Sequence, residues 1–286
     1  MRKLFILGAA IVVSVAMLLT SCKKEEVNNN GNNSGNTENP GGGSGGGNYN
    51  NQEYPSTNNV IFRAVTDIDG NIYDAVQIGD QVWMAENLRT TKYADGATIP
   101  MGTSASTTTA YRYAPGSNQN NEENMVNVAR YGYLYNWPAV MHGAGSSEAN
   151  PSGVQGICPD GWHVPSDAEW TELTNYMKTQ PAYMASGNTD HLAKALAATW
   201  GWDSASDTDV PGNNPSTNNA TGFSGLPAGE YYREHYYDFG IIAFFGSSTE
   251  LNDELVWVRK LEYGFPYVHE DWGSISDGFS VRCVRD

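Results

Sequence analysis

The chain contains the stretch Cys158-Pro159-Asp160-Gly161-Trp162-His163-Val164-Pro165-Ser166-Asp167-Ala168-Glu169-Trp170. Within it, Ser166 and Glu169 have the spacing of a capping box, in which each side chain accepts a hydrogen bond from the other residue's backbone N–H. Trp170, Leu173 and Met177 follow at i, i+3 and i+7, which places them on one apolar face. The stretch therefore predicts a helix that begins at Ser166 and packs that face on a core.

Segments rich in β-prone residues lie on both sides of this helix. Asp69-Gly70 and Gly79-Asp80 are hairpin-turn signals between such segments. Further strands are predicted at 239–245, 255–261 and 279–285. A second helix is predicted over 189–199, whereas the Thr-, Ser- and Asn-rich residues 95–130 predict irregular surface structure. The pattern favours short strands and loops over a helical bundle.

The first residues have the organisation of a secretory leader. Arg2 and Lys3 precede an apolar run over residues 4–19, which is short for a membrane span. Cys22 directly follows a small residue, which resembles the bacterial lipobox, where the cysteine is diacylated. We expect residues 1–21 to be a signal peptide and Cys22 to attach the chain to a membrane through its lipid. An ordinary signal peptide with an incidental cysteine, or an uncleaved anchor, remains an alternative.

Residues 22–59 combine a lipidated N-terminus with a linker. Lys23-Lys24-Glu25-Glu26 resembles the tag that directs some Bacteroidetes lipoproteins to the outer face of the outer membrane, although a solvated charge cluster would look similar. The rest of the segment is mostly Asn, Gly and Ser, which cannot bury an apolar face and predicts a flexible tether. We expect an outer-membrane lipoprotein that faces the cell exterior, with residues 60–286 as its domain.

Charge and cysteine usage limit the possible partners. The formal net charge is −16, which argues against nucleic acid and against anionic lipid surfaces as partners. If Cys22 carries lipid, Cys158 and Cys283 are an even pair in an exported protein. One disulfide is the first hypothesis, and two free buried thiols are the alternative.

Several further segments occur in order along the chain and carry a family resemblance. They are 69–73 (DGNIY), 81–88 (QVWMAENL), 131–137 (YGYLYNW), 158–170, 222–229 (GFSGLPAG), 247–250 (SSTE) and 280–286 (SVRCVRD). Together they resemble the Fibrobacter succinogenes major paralogous domain of secreted and lipid-anchored Bacteroidetes proteins. Pieces of the segments also look like the C-type-lectin-like and formylglycine-generating-enzyme folds.

The resemblance implies an α+β fold with a mixed, mostly antiparallel sheet, two helices and long loops. In that arrangement Cys158, before the first helix, meets Cys283 on the last strand, which supports the disulfide. The oxidative chemistry of formylglycine-generating enzymes needs a copper-binding cysteine pair, and here both cysteines occupy presumed structural positions. His163 lies in a compact Trp-His-Val-Pro segment and is expected to be structural. We therefore expect no enzyme.

A ligand site in lectin-like folds lies in the long loops, and residues 202–221 form such a loop here. Trp202 is an aromatic candidate, and Asp203, Asp207 and Asp209 are oxygen ligands that could hold calcium. The Glu-Pro-Asn and Trp-Asn-Asp triplets of calcium-dependent lectins are absent from the sequence. A solvated acidic loop is the alternative reading of these aspartates, and the sequence leaves the presence of a metal unknown.

Tyr231 and Tyr232 begin a tyrosine-rich segment whose rings could stack on sugars, anchor a protein partner or belong to the core. We expect a lectin-like binding domain that recognises polysaccharide or a cell-surface protein partner. A structural or assembly component of the envelope, such as a fimbrial or matrix element, is the second hypothesis. A hydrolase is the third.

Overall fold

The computed structural model describes residues 59–116 and 122–286. The signal peptide, Cys22 and all of the linker except residue 59 lie outside the described residues. Within the described part of the chain, no helix is long and apolar enough to cross a membrane.

Short strands and shorter helices make up the described residues. The strands are β1 (Val60–Thr66), β2 (Ile72–Ile78), β3 (Gln81–Met84), β4 (Arg112–Tyr113), β5 (Leu134–Tyr135), β6 (Trp162–His163), β7 (Glu230–Tyr232), β8 (His235–Tyr237), β9 (Ile242–Asn252), β10 (Leu255–Glu262), β11 (His269–Ser274) and β12 (Val284–Arg285). The helices are α1 (Glu122–Tyr131), α2 (Trp137–Met141), α3 (Asp167–Met177) and α4 (Ala193–Leu196).

The main sheet has the order β1-β2-β3-β12-β6, and its strand pairs are antiparallel. The predicted turns Asp69-Gly70 and Gly79-Asp80 lie between β1 and β2 and between β2 and β3. The last strand, β12, is inserted between β3 and β6, and the N–H of Met84 donates to the carbonyl of Cys283 over 3.0 Å. The α+β class and the mostly antiparallel strands are confirmed.

Helix α3 starts as its sequence predicts. Ser166 Oγ accepts from the backbone N–H of Glu169 over 3.2 Å, and Glu169 Oε2 accepts from the N–H of Ser166 over 3.0 Å. Trp170 is 1% exposed, and its ring lies 4.4 Å from that of Trp83 on β3. The helix therefore packs its apolar face on the main sheet.

The second predicted helix is much shorter than expected. Only α4 forms within 189–199, because the backbone beyond Leu196 pairs with another segment. Gly225 donates to the carbonyl of Leu196, and Ala198 donates to the carbonyl of Gly225, both over 2.7 Å. The expectation of two helices is also wrong, because two further helices form. Helix α1 begins within residues 95–130, for which irregular structure is predicted. Helix α2 begins after Asn136, and the side chain of Asn136 caps it.

The disulfide between Cys158 and Cys283 is present, with a Cα–Cα distance of 6.0 Å. Both residues are fully buried. The bridge joins the segment before β6 to the segment before β12, across a sequence separation of 125. This confirms the disulfide prediction and rejects the alternative of two free thiols.

A second sheet has the order β11-β10-β9, and β7 and β8 form a separate hairpin. Backbone hydrogen bonds hold the hairpin in place at Tyr231. The N–H of Tyr231 donates to the carbonyl of Gly278 over 3.0 Å, and the N–H of Gly278 donates to the carbonyl of Tyr231 over 2.8 Å. Gly229, just before β7, has a positive φ of 67°, and a Cβ there would lie 2.0 Å from the carbonyl oxygen of Tyr237. Only glycine fits this close approach, which sets the position of the hairpin beside the second sheet.

Candidate functional site

A cleft of about 620 Å³ lies between the β7–β8 hairpin and the sheet of β9, β10 and β11. Its lining mixes aromatic, acidic and basic side chains. Clefts of this size that combine apolar surface with a few polar groups are the usual form of small-ligand sites. We therefore describe it as the candidate site.

Two aromatic rings line the cleft. Trp272 on the edge strand β11 is 56% exposed, and in the sheet register it stands opposite Trp257 of β10. Tyr232 on β7 is half-buried, and the guanidinium of Arg233 lies 4.9 Å from its ring centroid. A large indole exposed to solvent provides a flat apolar surface for a ligand ring.

Glu230 is an acid on the hairpin side of the cleft, on strand β7. Its carboxyl makes no hydrogen bond or ion pair with another described residue. Burial raises its pKa to about 7, and the negative charges of Asp277 and Asp238 act in the same direction. A carboxyl group with such a pKa is partly protonated at neutral pH, so it can donate a hydrogen bond as well as accept one.

Asp277 lies beside Glu230 and is 4% exposed. Burial raises its pKa to about 6, although it accepts a hydrogen bond of 3.0 Å from the backbone N–H of Ser274. Asp271 on β11 behaves differently. Burial acts to raise its pKa, but a 2.9 Å contact with Nζ of Lys260 helps to hold the pKa below its usual range. The cleft thus contains both protonatable and firmly ionised carboxyl groups.

Of the three aromatic residues predicted as ligand contacts, one lines the cleft and two are buried in the interior. Tyr232 lines the cleft. Tyr231 is 1% exposed and stacks on Tyr113, with ring centroids 3.8 Å apart. Trp202 is 8% exposed, and its Nε1 donates to the carbonyl of Ala198 over 3.1 Å. The rings of Tyr231 and Trp202 therefore belong to the packed interior.

None of the three predicted calcium ligands is among the residues that line the cleft. Asp203 and Asp207 are exposed, whereas Asp209 is half-buried. Asp209 accepts from Ser186 Oγ over 2.5 Å and lies 2.7 Å from His191 Nδ1, and these contacts lower its pKa. Within residues 59–116 and 122–286, no group of three or more His, Cys, Asp or Glu side chains is arranged to hold a metal ion.

The segments that carry the family resemblance lie mainly in the core. Trp83, Trp170 and Arg282 are among the largest fully buried side chains, and they come from three different segments. A family model described as the Fibrobacter succinogenes major domain matches residues 76–285. The chain belongs to this family. No curated protein and no solved structure matches it.

Two cleft residues of this Fibrobacter succinogenes major domain were missed by the sequence analysis. Glu230 is adjacent to the predicted Tyr231, but its partial burial depends on the second sheet. Trp272 stands in the polar sequence His269-Glu270-Asp271-Trp272-Gly273-Ser274. A single large aromatic residue in a polar strand is a signal of surface exposure that could have identified it.

Proposed function

We propose that this Fibrobacter succinogenes major domain is a non-catalytic module that binds neutral polysaccharide in the cleft between the β7–β8 hairpin and the second sheet. The observation that carries the proposal is the exposed indole of Trp272 beside a polar cleft. The apolar face of a sugar ring stacks on an indole, while carboxyl and guanidinium groups bind its hydroxyls. Glu230, Arg233 and Asp271 supply such groups along the cleft.

A glycan array tests this proposal. The full chain is applied to arrays that include cellohexaose, xylohexaose, mannohexaose and laminarihexaose, and we expect it to bind at least one of them. The Trp272→Ala variant is expected to lose this binding. Trp200→Ala is the matched control, because Trp200 is also exposed, at 43%, but lines a different pocket. Equal loss in both variants, or an array with no bound glycan, would contradict the proposal.

We also propose a fold family and a cellular location for the protein. A C-type-lectin-like arrangement is supported by β12 beside β3 and by the disulfide that joins the segment before α3 to the last strand. A lipid-anchored location at the outer membrane, facing outward, is supported by the leader and by Cys22. Mass spectrometry of the mature N-terminus tests the lipid, and protease treatment of intact cells tests surface exposure. A Cys22→Ser variant is expected to lose the lipid.

One observation favours an assembly role as a second candidate. Strand β11 is the edge of its sheet, and Phe265 and Tyr267, which precede it, are 46% and 43% exposed. Edge strands can pair with a strand of another chain. Sedimentation that shows concentration-dependent self-association, together with a blank glycan array, would favour this role over polysaccharide binding.

A further inference from the structure

The protonation state in which Glu230 binds a ligand depends on the groups around it, and its role rests on the proposed polysaccharide site. Glu230 is on β7, on the hairpin side of the cleft, and its carboxyl has no hydrogen-bonding partner within the described residues. An unpaired polar group in a partly buried position is costly unless a ligand or water binds it. Its hydrogen-bonding capacity is therefore available to the ligand.

Charged groups surround Glu230 from several elements. Asp238 follows β8, Asp271 is on β11 and Asp277 follows β11, and all three act on Glu230 as negative charges. Lys260 of β10 is the opposing positive charge, but its Nζ is already held by Asp271 at 2.9 Å. Arg233 and Glu254 complete the charged lining, and the Arg233 guanidinium lies over the ring of Tyr232. The charges that act on Glu230 are thus three acids, which disfavour a carboxylate there, and one cation, which Asp271 already binds.

We propose that Glu230 binds the glycan as a neutral carboxylic acid that donates a hydrogen bond to a hydroxyl oxygen of the sugar. A neutral acid has one O–H donor, and a sugar hydroxyl accepts it without bringing a charge into the cleft. A uronic-acid or sulfated glycan would add a negative charge to an acidic cleft and is expected to be rejected. The shift of the Glu230 pKa to about 7 agrees with this role.

The expected consequence is a pH-dependent affinity. Only the protonated fraction of Glu230 is competent to bind, so apparent affinity follows that fraction. With a pKa of about 7 in the free protein, the dissociation constant is expected to rise by about tenfold for each pH unit above that value. The measurement is best made from about pH 7 to about pH 9, where Asp277, with its pKa of about 6, is already mostly ionised.

The test is isothermal titration of the full chain with the four neutral hexaoses across this range. Wild-type affinity is expected to fall with rising pH. Glu230→Gln, which is always neutral and keeps an N–H donor, is expected to bind with a flat profile. Asp253→Asn is the matched control, since Asp253 is exposed in the β9–β10 turn and does not line the cleft, so it should keep the wild-type profile.

The possible results separate this inference from the proposed function. If no hexaose binds the wild type at any pH, the proposed function fails. If binding depends on Trp272 but is flat with pH in the wild type, or if the pH dependence persists in Glu230→Gln, only the role of Glu230 fails. Affinity that rises with pH and is lost in Glu230→Gln would show that the carboxylate accepts a hydrogen bond, which also overturns the inference. A wild-type affinity that is flat or rises with pH overturns the inference even if a variant does not fold.

Discussion

Nε2 of His163 lies 2.7 Å from Oε1 of Glu169 in the protein interior, where the two side chains are 4% and 2% exposed. The other carboxylate oxygen of Glu169 accepts from the N–H groups of Ser152 and Ser166, each over 3.0 Å. The acid that closes the capping box of α3 therefore also binds β6 and the segment before it. His163 contacts a second carboxylate, with Nδ1 2.7 Å from Oδ1 of Asp286.

This arrangement predicts a pH-dependent stability. Burial acts to lower the pKa of His163, but the hydrogen bonds to Glu169 and Asp286 outweigh it and raise the pKa. A raised pKa in the folded state contributes stability that is fully present below the unfolded value of about 6.5 and is lost as pH rises through the folded value. We expect the contribution of His163 to the free energy of unfolding, measured in urea, to be larger at about pH 6 than at about pH 9.

Two variants isolate that contribution. Glu169→Gln is expected to lower the free energy of unfolding by about 2–3 kcal/mol, with the larger loss at low pH, because it removes a buried charged partner. Asp286→Asn should cost less, since the side chain of Asp286 is 61% exposed and solvent screens its charge. A loss in Glu169→Gln that does not vary with pH would show that His163 is not the group that titrates.

The disulfide predicts a second stability effect. Cys158 and Cys283 close a loop with a sequence separation of 125, and loop entropy gives such a bridge up to about 4–5 kcal/mol of stabilisation. We expect the double variant Cys158→Ala/Cys283→Ala to be destabilised by an amount of this order in urea unfolding. A reductant should destabilise the wild type and leave the double variant unchanged. Equal urea midpoints for the reduced and oxidised wild type would be evidence against this role.

Local signals made parts of the fold predictable. The capping box of Ser166 and Glu169 and the turn Asp69-Gly70 act over a few residues, and the structure contains both the helix and the hairpin. The second helix was overestimated because Gly225, distant in sequence, takes the hydrogen bonds at its end. Signals within a segment do not report such competition from another part of the chain.

The candidate site was harder to predict for the same reason. Tyr231 and Tyr232 are adjacent in the sequence, yet one is packed on Tyr113 and the other lines the cleft. Alternation along a strand puts neighbours on opposite faces, but it does not say which face is buried. Which face of the strand is buried depends on Gly278, a residue distant in the sequence whose backbone pairs with that of Tyr231.

The buried hydrogen bonds of Arg282 predict that even its replacement by lysine strongly lowers stability. Its side chain is fully buried and donates to Asn87 Oδ1 over 2.7 Å and to the carbonyls of Met84, Phe223 and Ser224. Burial lowers its pKa to about 9, opposed by the charge of Glu86.

We expect Arg282→Lys to lower the free energy of unfolding by at least about 3 kcal/mol, because one ammonium cannot reach all four acceptors and leaves buried oxygens unpaired. Arg285→Lys is the matched control, since Arg285 is exposed on β12, and it should change stability little. Urea unfolding of both variants makes the comparison. Similar stability of Arg282→Lys and wild type would mean that the guanidinium network is dispensable.

The backbone conformation of the turn between β7 and β8 predicts that a glycine substitution there, next to the candidate site, stabilises the protein. Arg233 and Glu234 have φ values of 46° and 68°, in the left-handed region. Two-residue hairpin turns with positive φ at both positions favour Asn-Gly, because residues with a side chain are strained there. We expect Glu234→Gly to raise the free energy of unfolding by about 1 kcal/mol, measured by thermal or urea unfolding.

A glycine in the neighbouring β9–β10 turn should have the opposite effect. Glu254 also stands in a tight turn between two strands, but its φ is not in the left-handed region. Glu254→Gly therefore relieves no strain and increases the conformational entropy of the unfolded chain, so it should destabilise the protein by about 0.5–1 kcal/mol. Opposite signs for the two substitutions would identify backbone strain as the cause. Destabilisation by both would mean that the contacts of the Glu234 side chain outweigh the strain.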